Sequence, residues 1–174
     1  MTKHRFIAFL SSHYSARKKM GLDLGCGYRN WNEFYKCECI GFDLPSTLQN
    51  KKDQRPDICG TARHLPFKDN SFDFLACYTT LPYVSDVDSV LQEMYRVMRP
   101  KSVAVIIVQN PRGMALHKEQ HYVNRFDSKK LHKKLFSHGL KSIKHKNPKV
   151  FFYSAFYDLT SVYAFAIVEP IKKN

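Results

Sequence analysis

The sequence predicts an α/β domain, doubly wound around a mostly parallel sheet. Two features of its pattern support that. Apolar runs of strand length alternate with helical stretches along much of the chain, as β-α-β units with right-handed crossovers require. The first run, Met20 to Leu24, breaks into a turn with glycine at Gly25 and Gly27, where the backbone can bend sharply and a ligand can approach with no Cβ in the way. The next run ends at Asp43, 20 residues after Asp23, and a carboxylate there can accept hydrogen bonds from both hydroxyls of a ribose. Together the glycine turn and Asp43 point to a cofactor that contains a nucleoside.

In order, the pattern reads as a leading amphipathic helix within residues 1–19, a first strand at Met20 to Leu24 and a helix near Tyr28 to Tyr35. A second strand follows at Glu38 to Phe42, a third at Pro56 to Gly60, and a fourth from Ser71 to Cys77. Asp86 to Met98 repeats its apolar residues at three and four positions, with acids early and arginines late, so it reads as a helix stopped by Pro100. Val103 to Val108 is an unbroken apolar run, as a central buried strand should be. Residues 109–126 form an irregular connection, long enough to face the substrate rather than merely link elements. Asp127 or Ser128 caps a further helix that ends at Gly139, burying Leu131, Leu135 and Phe136. Leu140 to His145 and Ser161 to Glu169 complete the strands, and Val150 to Val168 reads as two adjacent buried strands. One domain over residues 1–174 is expected.

GLDLGCG, GFDLP, DICGTARHLPFKDNSFDFL and TLPYVSDVDSVLQEMYRVMRP occur in that order. With these motifs the sequence resembles the class I S-adenosylmethionine-dependent methyltransferases, most closely the methyltransferase type 11 group. The resemblance implies a Rossmann-like, seven-stranded, mostly parallel sheet whose last strand runs antiparallel. It also implies that S-adenosylmethionine (SAM) is the cofactor. In that reading Asp23 and the backbone of Gly25, Cys26 and Gly27 hold its amino-acid end. Asp43 binds the ribose, Leu44 packs on the adenine, and Ala62 donates its N–H to it. Thr61 stands where the family usually has an acid, and Tyr78 to Tyr83 line the cofactor. Arg29 replaces the third glycine of the first motif, which brings crowding or a charge that reaches the cofactor carboxylate.

Methyl transfer from a sulfonium depends on alignment in a dry pocket, and a base is needed only for a protonated acceptor. His121, His117 and Tyr83 are the candidate catalytic residues, with His121 preferred because imidazole titrates near neutrality. A surface histidine without a catalytic role is the competing reading for each. No metal is expected: Cys37 and Cys39 are too close for ordinary zinc spacing, and no second pair completes four ligands. The five cysteines, odd in number, suit a reducing, cytoplasmic compartment. Phe6 to Leu10 is shorter than a secretory apolar region and far below a membrane span.

Net charge is +13, and residues 99–149 hold thirteen Lys or Arg against two acids. Such a concentration favours anionic partners, or is simply a solvated face. The expected acceptor is a small molecule or a lipid- or sugar-linked metabolite. The alternatives are RNA, held by the basic 99–149 region, and a non-catalytic partner subunit with the cofactor fold.

Overall fold

The computed structural model describes residues 3–29, 31–49, 54–116, 121–143 and 163–172. Among these, seven strands make one sheet. They are β1 (Met20–Leu24), β2 (Glu38–Asp43), β3 (Ile58–Cys59), β4 (Phe72–Tyr78), β5 (Met98–Gln109), β6 (Leu140–Ser142) and β7 (Tyr163–Pro170). Their spatial order is β3-β2-β1-β4-β5-β7-β6. The first five strands are mutually parallel, and β7 runs antiparallel between β5 and β6. The doubly wound sheet and its antiparallel closing strand are therefore as the sequence implied.

Helices α1 (Lys3–Ser15), α2 (Val87–Val97), α3 (Pro111–Leu116) and α4 (Ser128–Phe136) accompany the sheet. Strand alternation sends Phe74, Ala76 and Tyr78 of β4 to one face, where Phe6, Ile7 and Leu10 of α1 cover them. Leu75 and Cys77 go to the other face, against Val90, Leu91 and Met94 of α2 and Leu131 and Leu135 of α4. Ser11 and the Tyr78 hydroxyl hydrogen-bond at 2.8 Å, pinning α1 to the C-terminal end of β4. Asp86 caps α2 by accepting from the Ser89 N–H at 3.1 Å, and Asp127 caps α4 through the Lys130 N–H at 2.7 Å. Leu91 is fully buried in this core. Leu91→Ala should cost about 3 kcal/mol, read from the chemical-unfolding midpoint at unchanged m-value.

Several expectations need correction. Among the described residues no α-helix forms between β1 and β2, where a 3₁₀ turn, Asn32–Phe34, takes its place. Arg29, within the expected span, adopts left-handed backbone (φ 56°), which a right-handed helix cannot contain. Trp31 and Tyr35 instead turn inward, packing on Tyr78 and Phe74. Pro100 does not stop α2, which ends at Val97. β5 starts at Met98, paired with Phe72, and Pro100 lies inside it where the register shifts. The third strand shrinks to two residues, and the 109–126 connection contains α3. Phe136 is 63% exposed rather than buried, because α4 turns only Leu131 and Leu135 inward. Of the two strands expected within Val150 to Val168, residues 150–162 lie outside the described residues, as do residues 144 and 145 of the sixth strand.

Candidate functional site

The C-terminal ends of β1, β2 and β4 enclose an open cavity of about 410 Å³, at the point where the strand order reverses. Its walls come from the β1 turn (Leu24, Gly25), from the end of β2 and the residue after it (Phe42, Asp43, Leu44), from the loop after β3 (Gly60 to Arg63) and from the end of β4 and the loop after it (Tyr78 to Thr80, Tyr83 to Ser85).

Asp43 organises the first two walls. One carboxylate oxygen accepts the Gly27 N–H and the other the Leu44 N–H, both at 2.7 Å. Each oxygen keeps further acceptor capacity. Gly25 is required by shape: its φ is +76°, and a Cβ there would lie 2.0 Å from Thr80 Oγ1. That hydroxyl also donates to the Leu24 carbonyl at 3.1 Å, which ties the β1 turn to the β4 loop. Gly25→Ala should cost more than about 3 kcal/mol, from backbone strain plus a clash with a stiff β-branched neighbour. Thermal unfolding checks it.

The loop after β3 is fastened from behind by α2. Glu93 accepts the Leu65 N–H at 2.6 Å. Arg96 donates to Leu65 O (3.0 Å), Phe67 O (2.7 Å) and Asp69 (2.8 Å), while pairing with Glu93. Arg96 and Glu93 hold each other ionised, the first raised and the second lowered by their pairing. The Thr61 carbonyl accepts the His64 N–H at 3.0 Å, whereas its hydroxyl accepts long bonds from Arg63, at 3.4 Å from the N–H and 3.5 Å from Nε.

Asp23 is buried beneath the cavity rather than on its wall. Burial pushes its carboxyl up to about 7, and nearby Asp43 adds to the rise. The nearby Tyr35 hydroxyl and the Arg29 guanidinium pull the other way. Arg29 does not reach into the cavity. It lies across Gly41, bonds to Asn32 at 3.2 Å and pairs with Asp57, which itself accepts the Gly41 N–H at 2.7 Å. Burial also raises the Cys26 thiol, which therefore stays protonated.

Of the residues expected at a cofactor, Gly25, Asp43, Leu44, Thr61, Ala62 and Tyr78 meet on the cavity wall. Asp23 and Cys26 are buried behind it, and Gly27 is half-buried at its edge, bonded to Asp43. Tyr83 lines the cavity, and its ring packs on Tyr122 at a centroid distance of 5.2 Å. His121 is exposed on the adjoining segment, and His117 lies outside the described residues. Sequence reasoning missed Phe42, Gly60, Arg63, Val84 and Ser85. Gly60 carried the one available signal, a glycine at a strand end: a Cβ there would lie 2.8 Å from the Phe42 ring.

Comparison with known proteins agrees with this geometry. A family model described as a methyltransferase domain matches residues 22–106. An uncharacterized protein of Methanocaldococcus jannaschii is 31% identical over 152 residues, covering 86% of this chain and 63% of that protein. The demethylmenaquinone methyltransferase of Bacillus pumilus is 36% identical over 117 residues, covering 59% of this chain and 50% of that enzyme. The chain thus spans between a half and two-thirds of the length of these curated relatives. A SAM-dependent methyltransferase of Archaeoglobus fulgidus has the same fold, with a TM-score of 0.72 at 14% identity over 96% of this chain and 94% of its own. With the family match, this sheet order and the motifs in sequence, residues 22–106 belong to the methyltransferase-domain family.

Proposed function

We propose that the chain is a SAM-dependent methyltransferase whose acceptor is a small molecule or a lipid- or sugar-linked metabolite. The observation that carries this reading is the placement of Asp43: a carboxylate on the cavity wall, steadied by two backbone N–H groups and still able to accept from a ribose. The remaining walls suit the same cofactor. Phe42, Leu44 and Ala62 offer an apolar seat for adenine, with the Ala62 N–H beside it. Gly25 and Gly60 keep the backbone bare on either side of Asp43. Asp23 and the Gly25 to Gly27 turn would support the amino-acid end. A hydroxyl, Thr61, replaces the usual acid near the adenine.

When bound, SAM supplies an electrophilic methyl group on a sulfonium. The chain's own residues would orient it, keep water away and aim the acceptor in line. Tyr83 is the catalytic candidate on the wall. The curated relatives named as demethylmenaquinone methyltransferases favour a small acceptor. A non-catalytic role loses its motive in Arg29, which is drawn to Asp57 and is absent from the cavity lining. An RNA acceptor would rest on the cations of residues 99–149, of which Lys134 is already engaged by Asp88 at 2.6 Å. The free state of all five cysteines supports a reducing, cytoplasmic setting, and we read residues 1–174 as one domain.

Calorimetric titration with SAM tests the cofactor, and labelling of cell-extract fractions with methyl-labelled SAM tests the acceptor. Saturable binding and a labelled small product are expected. Absence of any binding would overturn the reading.

A further inference from the structure

Among the described residues six large apolar side chains stand well out into solvent: Tyr28, Leu44, Tyr83, Val123, Phe136 and Ile171. Four of them belong to one place. Leu44 and Tyr83 form part of the cavity wall, and Tyr28 follows Gly27, whose N–H is held by Asp43 at that wall. Val123 is brought to the same mouth by backbone bonds: its N–H and that of Asn124 both donate to the Pro82 carbonyl, at 2.8 and 3.0 Å. The Asn124 side chain adds a bond to the Val84 carbonyl. A segment fastened this firmly holds Val123 58% exposed, and Leu44 is 52% exposed. Isolated exposed apolar residues are ordinary, but four around one opening mark a contact surface.

Cations outnumber carboxylates beside this rim. Exposed Arg125, Lys129 and Lys130 follow Val123 at the start of α4, and Arg63 lies on the cavity wall. Asp127 and Asp86 carry the opposing charge, each at a helix start, where the first accepts the Lys130 N–H and the second the Ser89 N–H and hydroxyl.

We propose that the cavity mouth is a membrane-docking face, on which Tyr28, Leu44, Tyr83 and Val123 enter the interface of an anionic bilayer while Arg125, Lys129 and Lys130 lie over its headgroups. No described helix is long and apolar enough to cross a membrane, so the attachment is peripheral. Nucleic acid offers the same negative charge, but it suits the apolar rim less well. Leu44 and Val123 are aliphatic and cannot stack on a base, and one face of Tyr83 is already against Tyr122. A hydrocarbon interface accepts all four. For its purpose, delivery of a lipid-resident acceptor to the cavity, the docking rests on the methyltransferase reading, whereas the docking itself is measured without cofactor or turnover.

The test is co-sedimentation with vesicles of phosphatidylcholine alone and of phosphatidylcholine mixed with phosphatidylglycerol, with SAM affinity measured separately by calorimetry. The wild-type chain should bind the mixed vesicles at low salt and the neutral ones far less. Val123→Ser should weaken that binding about threefold or more by withdrawing apolar area from the interface. Lys129→Gln with Lys130→Gln should weaken it about tenfold or more, since each cation near an anionic surface is worth roughly fivefold. Both variants should keep the wild-type unfolding midpoint and SAM affinity. No binding to mixed vesicles would overturn the proposal. So would binding that Val123→Ser leaves unchanged, or a single-stranded RNA that binds more tightly than the vesicles. Vesicle binding without SAM affinity would remove the enzymatic reading and leave the docking intact; SAM affinity without vesicle binding would do the reverse.

Discussion

Replacing Asp43 by alanine should weaken SAM binding about a hundredfold, because two hydrogen bonds from ribose hydroxyls to a charged acceptor together contribute roughly 3 kcal/mol. The same carboxylate holds the Gly27 and Leu44 N–H groups, so the variant should also lose about 1–2 kcal/mol of folding stability. The two losses separate in measurement: calorimetry on the folded variant reads the first, chemical unfolding the second. Asp43→Asn keeps one acceptor oxygen and should fall between wild type and alanine in both. A folded alanine variant with unchanged affinity would refute the ribose assignment.

The second large effect concerns Asp23. An unfolded chain releases this proton near 3.8, whereas the folded chain keeps it until about 7. Between those values the native state binds more protons than the unfolded state, so the contribution of Asp23 to stability is complete below 3.8 and is lost as pH rises to about 7. The difference amounts to roughly 4 kcal/mol, at 1.36 kcal/mol per pKa unit. Asp23→Asn has nearly the same shape and no charge. Its stability relative to wild type should therefore improve by about that amount between pH 4 and pH 8. Parallel unfolding curves across the series measure it. A constant difference between the two proteins would mean that Asp23 is already ionised at low pH in the folded chain.

Much of the fold was legible because its strongest signals are local. The five parallel strands declare themselves as short apolar runs, and α2 as a period of three and four with Asp86 in front. Asp43 was legible from its place at a strand end. The region between β1 and β2 was misread because length and composition suit a helix, while the deciding facts are the left-handed backbone at Arg29 and the tertiary demand for Trp31 and Tyr35 at the core. No periodicity reports either. The start of β5 was misread because Pro100 looks like a terminator, yet a register shift lets the strand carry it. In the site, Phe42, Val84 and Ser85 were illegible for a related reason. They reach the cavity through pairing and loop closure, and their residue types suggest only core or turn. The position of Arg29 was open in sequence, since its distant partner Asp57 is set by the fold.

Replacement of a full helix by one 3₁₀ turn leaves β2 and β3 thinly clad. Their residues are largely half-buried, whereas those of β4 are nearly all enclosed. Amides of β2 and β3 should therefore exchange with deuterium well before those of β4 and β5. A ligand held at Asp43 would sit on the looser flank of the sheet, so occupancy of the cavity should slow exchange there first. Hydrogen exchange along β2 would then register the filling of the cavity even where no methyl acceptor has been identified.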